Sequence, residues 1–245
     1  MNPWLLLILM VGLASCADPR ANVIDDTTEE IVDDPSDTGE PSGSTTVVSE
    51  TGGALSSEDG LFTIEIPPFI LAEPVQITIE NAGLYVNRVE NVLITHLKMR
   101  KAKDDAINVK YESKKVWINH ISLEDSEDGL IDITRGSTDV TVSWCRFDNH
   151  RKVMLISGGH ETVIDENIRV TIHHNFFNET YSRHPRLRRG KVHAFNNLFR
   201  KVEGDAITCS HYGECISEGN IFDTSSELIR TSGVDPEPGS VRSID

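Results

Sequence analysis

The chain has 245 residues, 38% hydrophobic and 25% charged, enough to bury a core in one or two domains and too apolar for a wholly disordered protein. Its formal net charge of −16 sets it against anions at long range. The opening apolar run, Trp4 to Leu13, is too short to span a membrane.

That run reads as an export signal ended by small residues. The cut region Leu13-Ala14-Ser15-Cys16 resembles a bacterial lipobox, in which Cys16 is acylated and becomes the mature N-terminus. Residues 1–15 are therefore expected to be a lipoprotein signal peptide. The protein is expected outside the cytoplasm, anchored to a membrane by buried methylenes on Cys16, or secreted. Residues 16–50 follow as a disordered tether. From 17 to 50 there are ten acids against one base, Arg20, with many Thr, Ser and Pro. Residues 51–245 are left as the folded domain. Export permits a Cys209–Cys215 disulfide, although the spacing alone does not establish one, and no Cys/His spacing matches a zinc site.

An eight-residue pattern organises residues 80–225. It is aliphatic first and often third, polar or aromatic fifth, and large and apolar eighth. The copies are VLITHLKM (92–99), VWINHISL (116–123), VTVSWCRF (140–147), VTIHHNFF (170–177), VHAFNNLF (192–199) and a weaker CISEGNIF (215–222). Their starts lie 24, 24, 30, 22 and 23 residues apart, the mark of a solenoid. A second set of short runs keeps step: 106–109, 130–133, 153–156 and 206–208. Short strands in turns of about 23 residues describe a parallel β-helix, whereas the Leu spacing of a leucine-rich repeat is absent. The sixth position reads Asn175, Asn197, Asn220 in successive coils, which predicts a hydrogen-bonded ladder at one corner.

The register also predicts a groove. Adjacent coils stack about 4.8 Å apart. A step of 24 sets Asp104 beside Asp128, Asp128 beside Lys152, and Asn108 beside Asp132, while Arg183 follows Lys152 by 31, close to the longer step of 30. Carboxylates gather at one end of this face and cations at the other. Read alone, Asp105, Asp128 and Asp132 fit either a Ca2+ site or a solvated acidic turn. The run 182–190, Ser-Arg-His-Pro-Arg-Leu-Arg-Arg-Gly, lies in a stretch, 151–200, with nine bases against four acids. Lys152, Arg183 and Arg188 fit carboxylate holders or a basic surface patch. Aromatics interleaved for base stacking are missing there, which speaks against nucleic acid. His120, His173, His174 and His193 read as structural, and Trp117 and Trp144 as core or wall.

The runs NVLITHLKM (91–99), DDAINV (104–109), VWINH (116–120), DGLIDI (128–133), VTVSW (140–144), HRKVMLI (150–156), VTIHHNFF (170–177) and RHPRLRRGKVHAFNN (183–197) together resemble the pectate lyases of polysaccharide lyase family 1, over about residues 80–225. The resemblance implies an all-β, right-handed parallel β-helix. It implies Ca2+-dependent cleavage of α-1,4-polygalacturonate by β-elimination to 4,5-unsaturated oligogalacturonides. The family's R-x-P-x-x-R falls on Arg183, Pro185 and Arg188, which makes Arg183 the base and Arg188 a substrate holder. The family's uronate-binding Lys falls on Lys152, and its Ca2+ carboxylates on Asp105, Asp128 and Asp132. Pectin lyases lack that acidic set, so an unesterified substrate is implied. The expected partners are polygalacturonate and, through Cys16, a membrane, with no nucleic acid; a monomer is expected. The chain departs from the family at Asn119, often Asp there, and at Asp104-Asp105, a shortened Asp-Gly-Asp. Residues 51–80 form a brief cap, and Asp245 follows soon after the last coil, so the solenoid is expected to be short at both ends. Two other readings compete: a non-catalytic β-helix surface lipoprotein that binds acidic polysaccharide, and a hydrolase with paired carboxylates acting on a water, which would not need the 182–190 run.

Overall fold

The structure, a computed structural model, describes strands at 10–12, 44–48, 53–56, 63–66 and 75–81, and then residues 83–244 apart from 96, 160–161, 224–228 and 232–236. Cys16 lies outside the described residues. Of the expected signal peptide only Met10–Gly12 is described, and of the expected tether only Ser44–Val48; these strands flank Val75–Asn81, parallel and antiparallel to it respectively. Gly53–Ser56 and Thr63–Ile66 form an antiparallel pair.

From residue 84 the chain winds into a parallel β-helix with three sheets. In each coil a longer strand, such as Lys114–Asn119, is followed by a three-residue strand, Ser122–Glu124, and then by a strand of the third sheet, Gly129–Ile133. Strands of one kind stack in parallel, coil upon coil. The repeat read from the sequence is the register itself: Val92, Val116, Val140, Val170, Val192 and Cys215 are successive partners in the long-strand sheet.

Each motif position has a physical duty. The first and third point inward, as the period of two requires, and Val116, Ile118, Val140, Val142, Val170 and Ile172 are all buried. The fifth turns the corner in the left-handed region: His120, Trp144, His174 and Asn196 have φ between 53° and 56°, and Gly219 has 54°. The eighth fills the core with a column of rings, Phe147, Phe177, Phe199 and Phe222, whose centroids are 4.7–4.8 Å apart. The sixth forms the predicted ladder. Asn175 Nδ2 donates to Asn197 Oδ1 at 3.0 Å, and Asn197 Nδ2 to Asn220 Oδ1 at 2.9 Å. The ladder continues into the preceding coil, where Asn175 Oδ1 accepts from the Cys145 backbone N–H.

The 30-residue coil carries its excess between Lys152–Ile156 and Arg169–His173. Part of it is a 3-10 turn, Val163–Asn167, that exposes Val163 and Ile164. Asp165, fully buried, ties this turn down by accepting from the Gly136 and Gly158 backbone N–H groups.

Three details go beyond what the sequence could decide. Of the core and wall alternatives, Trp117 and Trp144 take the wall. Both are exposed on the outer surface, where Trp144 stacks between His120 and His174 and Trp117 Nε1 donates to Ser143 Oγ. Cys209 and Cys215 are buried free thiols, as is Cys145, whose pKa burial pushes up to about 12. The third sheet gains Arg186–Leu187, a strand too short and too polar to be recognised as apolar repeat.

Candidate active site

The third sheet presents one outer face on which the candidate residues meet. Ile107 and Val109, Ile131 and Ile133, and Met154 and Ile156 turn inward and anchor their strands. Asp105 and Asp128 stand just before Ile107–Lys110 and Gly129–Ile133, Asp132 inside the latter, and Lys152 at the start of Lys152–Ile156. Arg183 enters after Ser182 bridges to Lys152, just ahead of Arg186–Leu187.

At the acidic end, carboxylate oxygens of Asp104, Asp105 and Asp128 all lie within 4.8 Å of one another. The family resemblance put a metal carboxylate on Asp105, in the shortened Asp104-Asp105 pair; the fold gathers both acids. Asp105 is buried and its Oδ1 accepts from the Gly129 N–H at 2.8 Å. Burial, reinforced by the charges of Asp104 and Asp128, pushes its pKa up to about 6. Asp132 lies outside this tight group yet next to it. A side chain added to Gly129 would place its Cβ 2.6 Å from Asp105 Oδ1 and 3.0 Å from Asp132 Oδ1. Burial, then the charge of Asp105, holds the Asp132 carboxyl well above the usual range, against the pull of Arg183 and Lys110. Its Oδ1 is sealed from solvent and has no hydrogen-bond partner among the described residues.

Lys152 joins the two ends. The backbone register pairs it with Gly129, one residue off the expected alignment with Asp128, but its Nζ still reaches Asp128 Oδ1 at 2.8 Å. Arg183 is 8% exposed, so its guanidinium emerges from the wall rather than from a mobile surface chain. Arg188 sits at the far corner, where its Nη1 donates to the Gly158 carbonyl.

Several supporting groups escaped sequence reasoning. His150 Nε2 donates to the Asp128 backbone carbonyl at 2.6 Å and fixes the acidic turn, while burial lowers its pKa. His184 is fully buried between Thr180 Oγ1 at 2.9 Å and the Asp205 carbonyl at 2.9 Å, and so seats the 183–189 run. Tyr85 Oη donates to Asp104 Oδ2 at 3.4 Å. Lys110 was visible as an outward residue of its strand by the period of two, but only the fold shows that its charge acts on Asp105 and Asp132.

This donor set fits a hard divalent cation. It offers oxygens only, burial together with the charges of Asp104 and Asp128 raises the Asp105 carboxyl to about 6, and Asp132 holds a buried oxygen with no partner among the described residues. Beside it, Lys152 and Arg183 supply positive charge for an anionic ligand lying across the face.

A family profile described as pectate lyase matches residues 63–236. Among curated relatives, a pectate lyase of Nicotiana tabacum is 32% identical over 170 residues, covering 60% of this chain and 43% of that protein. A pectate trisaccharide-lyase of Thermotoga sp. (strain RQ2) is 34% identical over 134 residues, covering 49% of this chain and 37% of that protein. Among solved structures, a pectate lyase from Bacillus sp. N165 in complex with trigalacturonate is similar with a TM-score of 0.61 and 28% identity, covering 68% of this chain and 59% of that one. Pectate lyase II of Xanthomonas campestris gives a TM-score of 0.59 and 28% identity, over 67% of this chain and 56% of that one. The chain spans less than half the length of either curated relative.

Proposed function

The chain belongs to the pectate lyase family, and from that premise we propose that it is a calcium-dependent lyase that cleaves α-1,4-polygalacturonate by β-elimination, leaving 4,5-unsaturated oligogalacturonides. The observation that carries this reading is the Lys152 ammonium 2.8 Å from Asp128, at the border between the carboxylate cluster and Arg183. A uronate carboxylate placed there meets positive charge from both sides.

The C5 proton of a galacturonate is weakly acidic because it is α to a carboxylate. Calcium held by Asp105, Asp128 and Asp132, with Asp104 in the same cluster, would withdraw charge from that carboxylate. Lys152 stabilises the enolate-like charge that builds up as the proton leaves. Arg183 takes the C5 proton. The electron pair closes the C4–C5 double bond, the C4–O bond breaks, and the leaving oxygen takes a proton from water. A guanidinium acts as a base only once it has lost a proton. Arg188 holds a uronate carboxylate further along the face. The same reading places the enzyme outside the cytoplasm on a lipid at Cys16, supported by Leu13-Ala14-Ser15-Cys16.

The test is polygalacturonate with Ca2+ and then with chelator. Ultraviolet-absorbing unsaturated ends that form only with Ca2+, and that disappear in Arg183→Lys, are expected. New reducing ends without unsaturation point to a hydrolase, and binding without cleavage to a non-catalytic lipoprotein; either result overturns the lyase. Near wild-type product from Arg183→Lys removes Arg183 from the role of base.

A further inference from the structure

The strand Ile107–Lys110 turns Ile107 and Val109 into the core, so Asn108 faces out, on the same side as the carboxylate cluster. Yet Asn108 is 0% exposed. Neither its Oδ1 nor its Nδ2 has a hydrogen-bond partner among the described residues. One coil on, paired with it in register, stands Asp132, whose Oδ1 is buried and unpartnered as well. Three orphaned polar atoms thus share one column at the cluster. Buried groups of this kind are uncommon because each forfeits its hydration, so a cluster of them at a chemical site points to a partner that another state supplies.

The chain itself shows that side chains one coil apart can bond. At the ladder corner, Asn175 and Asn197 meet at 3.0 Å, and Asn197 and Asn220 at 2.9 Å. An amide is also the group suited to this position. Its N–H stabilises a carboxylate without adding charge to a face that already carries Asp104, Asp105, Asp128 and Asp132. An Asp there would add repulsion, and an aliphatic residue would leave the carboxylate unsupported.

We propose that Asn108 is a positioning residue for Asp132: its Nδ2–H donates to Asp132 Oδ1 and orients that carboxylate toward the cation held by the cluster. The inference rests on the reading of the cluster as a calcium site. It assigns to Asn108 a contribution to metal affinity at the expense of the metal-free fold, the reverse of what a structural amide does.

The experiment uses the full chain as wild type, Asn108→Leu and Asn108→Ser. Calcium is titrated by calorimetry, and the thermal midpoint is measured in chelator. Asn108→Leu is expected to weaken Ca2+ binding roughly 10-fold or more, the usual scale for losing a partner that orients a metal ligand. Its midpoint in chelator is expected to stay level or rise, because orphaned atoms have been removed. Asn108→Ser, which keeps a shorter donor, should fall between. Calcium affinity within twofold of wild type in Asn108→Leu overturns the proposal, and so does a lowered midpoint with unchanged affinity, which marks a structural amide. If Asn108→Leu does not fold, Asn108→Ser decides on the same twofold criterion. A wild-type chain that takes up no calcium overturns the metal reading itself, and that result appears before any variant is compared.

Discussion

Gly129 lacks a side chain because two carboxylates occupy the place where one would stand, with Asp105 Oδ1 2.6 Å and Asp132 Oδ1 3.0 Å from a Cβ built there. Gly129→Ala is therefore expected to push the two acids apart and weaken Ca2+ binding at least tenfold, while the coil around it persists, since Leu130 and Ile131 keep their core contacts. Calcium titration with circular dichroism checks both halves. At this scale the sequence was partly transparent. Lys152, Arg183 and Arg188 could be placed by matching motifs, because their spacing survives in the chain. Asp104's place in the cluster was not legible, since two adjacent acids look alike until the fold shows Asp105 buried on the Gly129 N–H and Asp104 beside it. Trp144 was left between core and wall because a large ring in an apolar run fits either. The fifth position turns the corner with φ near 54°, and that throws the ring outward.

At the scale of an element, the Asn ladder holds the corner between the long and short strands. Asn197 stands at its centre. Its Oδ1 accepts from the Asn175 backbone and side chain, and its Nδ2 donates to the Ile172 carbonyl and Asn220 Oδ1. Asn197→Ala orphans buried groups on the Asn175 and Ile172 side, at a cost of about 2–5 kcal/mol. Asn220→Ala, at the more exposed end, should cost less. Urea midpoints of the two variants, compared with wild type at constant slope, measure the difference. The ladder was legible because three Asn residues recur at one motif position. The strand Arg186–Leu187 was not, because two residues carry no periodicity and one of them is an arginine.

For the whole molecule, two buried groups set opposing responses to acid. His184 has its pKa lowered by burial from 6.5 to about 4, so the unfolded chain binds the proton more tightly. Its contribution is complete above pH 6.5 and is lost as pH falls toward about 4, a change of about 3 kcal/mol. Asp105 has its pKa raised from 3.8 to about 6, so the metal-free fold binds the proton more tightly and loses stability as pH rises through that window. Calcium bound as proposed would compete with the Asp105 proton. The calcium-loaded protein is therefore expected to lose stability more steeply than the metal-free protein as pH falls from 6.5 to 4. Chemical unfolding across that range, with and without Ca2+, gives the two slopes; parallel curves would refute the assignment. The stacking of coils has a mechanical consequence. The hydrogen bonds between coils run along the axis, and each coil holds only its neighbours. A pull along that axis loads these bonds one after another from the end, rather than shearing many at once. Coils of 22 to 30 residues should then peel away singly at low force, each releasing on the order of 80–100 Å of chain. A single molecule stretched between its ends should show that sawtooth in its force trace, with its longest interval at the coil that carries residues 158–168.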